Sequence, residues 1–298
     1  MTAPPREKGN TLVRLATALV VAPVALLLIW IPALQVPLIL FVTALVVQGL
    51  REYCGMTGHM GLPVMRRTVL ATGAGVVLWN GAMVMSGWND WSDHPVVTGI
   101  TAAFMVLAVA RLFSPSHDFR AFAADVLGVT YIAGFGSYLV VMQGCPDMGP
   151  GLVTLLLVAV AWSDTGAYFI GRKFGKHKLA PVTSPKKSWE GAVGGVLGAV
   201  AATAVLLLLI RLFGWESSYP MAGWVVYLPL AAALAVVSQI GDLLESMIKR
   251  EAGIKDSGTV FPGHGGVMDR CDGILFAAPA LYYLYYGLVA VVWIVTNR

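Results

Sequence analysis

Charge is scarce in this chain. Lys, Arg, Asp and Glu make up 12% of its 298 residues, against about a quarter in an ordinary soluble domain. That excludes a water-soluble globule with a charged surface. Cysteine is scarcer still: Cys54, Cys145 and Cys271 are odd in number and far apart, so they suggest neither a disulfide framework nor a CxxC metal site, and are expected to be reduced. A secretory signal is also lacking. The first apolar stretch, 12–31, is longer than a typical signal core and has no small-residue cleavage site, so it is expected to remain as a membrane helix. No linker and no fixed-period repeat divides the chain, and 1–298 reads as a single integral membrane domain. The net charge of +4 does not indicate nucleic acid, because the basic residues are spread over several short loops with no soluble domain to carry a binding face.

What the chain has in abundance is apolar sequence, 57% of all residues. Segments long enough to span a bilayer occur at 12–31, 34–50, 68–86, 95–113, 121–142, 151–171, 189–211, 223–248 and 273–296. The expected fold is therefore an all-α, polytopic membrane bundle of about nine helices. Loop charges test that count independently. With the N-terminus in the cytoplasm and the C-terminus outside, only Arg211 and Arg298 of the 20 Lys and Arg residues fall on the outer side. A small-residue patch, GGVLGA at 194–199, suits close packing of one helix against another. Asp90, Asp93 and His94 are expected in a solvated outer loop, and Asp125 near the start of the fifth segment, where it favours the positive dipole end and can snorkel.

Two stretches break the apolar pattern. In the first, Ser238, Asp242, Glu245, Ser246 and Lys249 follow helical spacing and share one polar stripe on a helix whose upstream part is apolar. At about 1.5 Å of rise per residue, Asp242 lies roughly 10 Å along the axis from Lys249, so the stripe runs into the membrane. An acid there is costly unless paired, and marks a functional candidate. Asp269 and Asp272, at i and i+3, share a face at the start of the next segment. Between the two helix ends lies a loop with Lys255, Asp256 and His264, followed by Arg270. Carboxylate oxygens of this kind suit Mg²⁺, which is commonly held by one or two carboxylates together with substrate phosphates and water. The competing reading is a buried acid and base network that only pins two helices together.

The second stretch starts at Asp164, inside the sixth segment, and continues through a basic exit to SPKKSWEG at 184–191. Pro185 is expected to hold a turn that places Ser184, Lys186 and Lys187 just ahead of a helix N-terminus, where phosphate binds readily; Glu190 follows.

The run through Ser246, Lys249, Arg250, Lys255, Asp256, Pro262, His264, Gly265, Gly266, Asp269, Arg270 and Asp272 resembles the signature of the phosphatidate cytidylyltransferases, or CDP-diacylglycerol synthases. The Asp164-containing helix with its Ser-Pro-Lys-Lys element resembles the same family, so that 164–272 carries the family's motifs. The resemblance implies a reaction of CTP with phosphatidic acid that gives CDP-diacylglycerol and pyrophosphate, requires Mg²⁺, and belongs to phospholipid biosynthesis, while the loop charges put both basic loops near the site on the cytoplasmic side of a cell membrane. That chemistry joins two anions, so cations must supply most of the catalysis. The expected roles are Asp242, Asp269 and Asp272 as metal ligands, with Asp164 as a further one. Lys249 with the first three would form the catalytic group. Ser184, Lys186, Lys187, Glu190, Ser246, Arg250, Lys255, His264 and Arg270 would contact substrate. A second metal ion and a homodimer are left open. Two rivals are an anion transporter, whose site should lie at the midplane with access from both sides, and a membrane lipid kinase, which would release a nucleoside diphosphate in place of pyrophosphate.

Overall fold

A computed structural model of the protein describes residues 23–87, 95–145, 148–214, 224–260 and 265–296. A helix over 23–30 leads through a single 3₁₀ turn, Pro32–Leu34, into α1, Gln35–His59. Pro37 sits in the first turn of α1, where its missing N–H removes no helical hydrogen bond. The two prolines thus bend the chain and start a helix at once. Then follow α2 (Arg66–Met85), α3 (Pro95–Leu112) and α4 (Phe119–Gln143), with a π-helical turn at Val129–Gly134 in the middle of α4. Beyond them lie α5 (Gly149–Phe174), α6 (Trp189–Phe213), α7 (Trp224–Glu251) and α8 (Met268–Thr296). Among the described residues seven helices, from the span Pro32–His59 to α7, are long and apolar enough to cross a membrane. The molecule is a polytopic helical membrane protein.

The boundaries differ from the sequence expectation in two places that matter. The helix expected to end at residue 50 continues to His59, which carries Glu52 inside α1 as a buried side chain. The last helix begins at Met268, so Asp269 and Asp272 both lie in its opening turns.

The all-α expectation needs one amendment. After α5 the chain forms a two-stranded antiparallel hairpin, β1 (Lys178–Ala180) with β2 (Ser184–Ser188), Lys178 opposite Ser188 and Ala180 opposite Ser184. Pro185 is therefore not in the turn, which falls at 181–183, but in the second strand. Ser188 closes the strand and caps α6, its Oγ accepting from Gly191 N at 3.1 Å.

Glycine sets the distances between the site-bearing helices. A Cβ on Gly166 of α5 would meet Gly194 O of α6 at 2.3 Å, so the 194–199 patch lets these two backbones nearly touch. On α7, a Cβ at Gly241 would meet Asp272 O of α8 at 2.6 Å. Gln239 ties α7 to both neighbours, its Nε2 donating to Ser163 Oγ on α5 and Ala192 O on α6. Asp164, Asp242 and Asp272 each adjoin one of these contacts in sequence.

Asp125 does not snorkel, and the helix N-terminus it meets is that of α2 and not of its own helix. It is fully buried and ion-paired with Arg111 of α3, while its Oδ1 accepts from Met65 N at 2.9 Å; the same Arg111 donates to Pro63 O and Ser116 Oγ. The pair staples the loop that precedes α2 to the loop that precedes α4. The stretch with Asp90, Asp93 and His94 lies outside the described residues.

Candidate active site

β2 delivers Lys187 to α7. Its Nζ stands 2.6 Å from Asp242 Oδ2 in an ion pair that lacks hydrogen-bond alignment, leaving the shielded ammonium without a regular hydrogen bond among the described residues. Strand geometry turns successive side chains to opposite sides, and Lys186, its neighbour, is exposed. The two lysines, equivalent in the sequence reading, are thereby separated. Ser246 Oγ, one turn along α7, reaches the other oxygen of Asp242 at 3.4 Å. Ser184 is half-buried at the first position of β2.

Asp242 belongs to a wider acidic group. Asp164 of α5 interacts electrostatically with Asp242, Lys187 and Arg270, while Asp272 of α8 interacts with Asp242, Glu245 and Asp164. Three helices therefore each contribute one aspartate to a single cluster, with Lys187 and Arg270 as its nearby cations. Like charges gathered in this way favour a cation among them.

Asp269 has hydrogen-bond partners of its own. Its Oδ1 accepts from Lys249 Nζ at 2.7 Å, and its Oδ2 from Ser257 N, Ser257 Oγ and Gly266 N at 2.9, 2.9 and 2.8 Å. Lys249 is shared with Glu245, 2.5 Å away and fully buried, whose other oxygen has no hydrogen-bond partner among the described residues. Asp269 is thus held by the loop and Lys249 while Asp242 pairs with Lys187, and Glu245 stands in electrostatic reach of both aspartates. Among the described residues no three His, Cys, Asp or Glu side chains stand close enough to hold a metal ion by themselves. The donor chemistry still fits Mg²⁺ in its usual form, where one or two carboxylates are completed by phosphate oxygens and water.

The other expected contacts are distributed as follows. Arg250 is exposed and donates to Thr183 O and Ile254 O, each at 3.4 Å, which latches the hairpin turn to the end of α7. Glu190 turns away from the aspartates: its carboxylate accepts from Lys176 N at 3.1 Å and from His177 N, and pairs with His177 Nδ1 at 2.6 Å, fixing the exit of α5. Lys255 and Asp256 are exposed in the loop after Gly253, whose φ of +68° ends α7. Arg270 is exposed and is one of the residues lining an apolar cavity of about 430 Å³, together with Leu38, Val42, Ile132, Leu157 and Ile274. His264 and Pro262 lie outside the described residues.

Two residues escaped the sequence reading. Glu52 of α1 is buried, and its carboxylate accepts from Val267 N at 3.0 Å, Met268 N at 2.9 Å and Ser257 Oγ at 3.1 Å. Its only signal was an acid beside Arg51 at the end of an apolar run, which reads as a solvated interface pair. Tyr131 lies in the π turn of α4 with its hydroxyl buried, in the electrostatic reach of Asp242, Glu245 and Asp272. π turns often mark functional sites, but nothing in an aromatic residue within an apolar run announces one.

Comparison with known proteins places this arrangement. The pattern of the Cytidylyltransferase family matches residues 12–288. A phosphatidate cytidylyltransferase of Brucella suis biovar 1 is 36% identical over 289 residues, covering 95% of both chains. The protein of that name from Thermotoga maritima is 38% identical over 178 residues, 60% of this chain and 64% of its own length. That from Haemophilus influenzae is 45% identical over 138 residues, 46% of each. With a match along nearly the whole chain, this chain belongs to the cytidylyltransferase family.

Proposed function

We propose that the protein transfers the cytidylyl group of CTP to phosphatidic acid, giving CDP-diacylglycerol and pyrophosphate. The observation that carries this reading is the 2.6 Å pairing of Lys187 with Asp242, which joins a basic hairpin outside the apolar spans to an acidic cluster reached from within them. Such a junction suits a reaction between a soluble nucleotide and a membrane lipid. A phosphate oxygen of the lipid attacks the α-phosphorus of CTP in line, and the bond to the bridging oxygen breaks as pyrophosphate leaves with its electrons. Lys187 and Arg270 neutralise the approaching anions, Ser184 and Ser246 donate hydrogen bonds, Lys186 and Lys255 guide the triphosphate at the rim, and His264 is a further phosphate contact. Asp242 and Asp272, with Asp164 beside them, would hold Mg²⁺, which when bound supplies charge neutralisation across the phosphates. Asp269 holds Lys249 and the loop in place. The apolar cavity that Arg270 helps to line has the character to take an acyl chain while the guanidinium meets the lipid phosphate.

The same reading sets nine spans, with the N-terminus in the cytoplasm, the C-terminus outside and the site facing the cytoplasm, because that orientation leaves only Arg211 and Arg298 on the outer side. The test is to incubate purified protein with phosphatidic acid and each of the four nucleoside triphosphates, and to assay pyrophosphate and liponucleotide. Pyrophosphate release with CTP is the expected result. Nucleoside diphosphate in its place would mean a kinase.

A further inference from the structure

We propose that Glu52 is a positioning residue for the active site, fixing from α1 the loop and helix start that carry Asp269, Arg270 and Asp272. The geometry is specific. Glu52 Oε1 accepts from Val267 N and Oε2 from Met268 N, so one carboxylate spans two successive amides at the start of α8. Ser257 Oγ, 3.1 Å from Glu52 Oε2 and 2.9 Å from Asp269 Oδ2, lies between two acids that come from opposite ends of the chain. Gln48 Nε2, one turn earlier on α1, donates to Glu52 Oε1 at 3.1 Å and orients the carboxylate. The loop is packed on this group so tightly that a Cβ at Gly266 would come within 2.4 Å of Glu52 Oε2, and one at Gly258 within 2.8 Å of Oε1.

From there the connection runs inward. Ser257 and Gly266 hold Asp269, Asp269 holds Lys249, and Lys249 holds Glu245 in the stripe that also carries Asp242. Glu52 makes no hydrogen bond to Asp164, Asp242 or Asp272 among the described residues, and its connection to them runs through Ser257 and the amides of Val267 and Met268. Its buried charge is stabilised by two backbone amides, the Gln48 amide and a hydroxyl, with no basic side chain among its hydrogen-bond partners in the described residues. An amide in its place must turn an NH₂ toward one of the amide N–H groups, so Glu52→Gln breaks the clamp with almost no change of volume.

The experiment pairs hydrogen exchange with kinetics on the full chain in detergent or nanodiscs, and it rests on the proposed reaction only for the kinetic arm. In Glu52→Gln, amides of the 257–268 stretch are expected to exchange about ten-fold faster or more while the rest of the helices keep wild-type protection. The kcat should fall about ten-fold or more, with KM for CTP and for phosphatidic acid moving less than about three-fold. A bond that serves stability alone would speed exchange throughout and leave kcat of the folded enzyme untouched, and either result overturns the proposal. Should Glu52→Gln fail to fold, Ser257→Ala cuts the link to Asp269 while sparing both amide bonds. It is expected to loosen the same stretch and lower kcat roughly three- to ten-fold, and wild-type kcat in that variant overturns the proposal. If the wild-type protein shows no cytidylyl transfer, the functional reading fails, and the exchange pattern alone decides whether Glu52 holds this loop.

Discussion

Lys187 and Asp242 form the 2.6 Å junction between the hairpin and α7, whereas Lys186, its neighbour in β2, is exposed. The consequence is an asymmetry between adjacent lysines. Lys187→Ala should lower kcat/KM roughly 100-fold, the scale of losing one preorganised partner of transition-state charge. Lys186→Ala should cost less than about ten-fold. Steady-state kinetics decide it, and equal losses would remove the special place given to the pair. The double variant Lys187→Ala with Asp242→Asn should lose less than the sum of the two single effects, as groups acting together do.

The three carboxylates first read as one set should also part company. Asp242→Asn and Asp272→Asn are expected to abolish most activity while thermal unfolding in detergent stays near wild type. Asp269→Asn keeps one acceptor oxygen but must turn an NH₂ either toward the donors of Ser257 and Gly266 or toward Lys249, so it should cost stability on the order of 1–3 kcal/mol. Unfolding midpoints and kcat on the same preparations separate the two patterns.

Orientation is open to labelling. On a cysteine-free background, single cysteines placed in 172–188 and in 250–270 should react with impermeant reagent only from the cytoplasmic side, and one at position 298 only from outside. Finding the first two on opposite faces would dismantle a site built from both.

Arg111 and Asp125 make a pair whose loss should be felt in folding and not in chemistry. Both are buried, and removing one charge strands the other, a change that typically costs about 3–5 kcal/mol. Arg111→Ala should therefore lower the unfolding midpoint sharply, while kcat of the surviving folded enzyme stays within about two-fold of wild type. Replacing both residues with leucine should recover part of the loss, since no unpaired charge then remains.

The helices were legible because a bilayer demands long apolar runs, and these were interrupted only by loops. Even the awkward Pro32 to Pro37 region, placed between two spans, became a 3₁₀ turn and a helix start. The polar stripe of α7 was legible for a related reason, since acids inside apolar sequence stand out. What could not be read was pairing at a distance. SPKKSWEG looked like a turn before a helix, and only the register of β2 against β1 distinguishes Lys187 from Lys186. Asp269 and Asp272 share a face by spacing, yet a loop folding back on the first of them gives the two different partners. Glu52 lay beyond the expected end of its helix, and its partners are backbone amides more than 200 positions along, which no local pattern encodes.

The opening of α8 has a bearing on how the enzyme meets its nucleotide. A helix start ordinarily offers bare amides and a positive dipole to phosphate, but here the amides of Gly266, Val267 and Met268 are already committed to the carboxylates of Asp269 and Glu52. On the proposed function, recognition of a polyanion therefore falls to side chains such as Lys187 and Arg270, whose attraction is weakened by mobile ions wherever solvent reaches them. The grip on the triphosphate is thus a matter of ionic strength as much as of shape, and the salt of the surrounding medium sets the working affinity of the site.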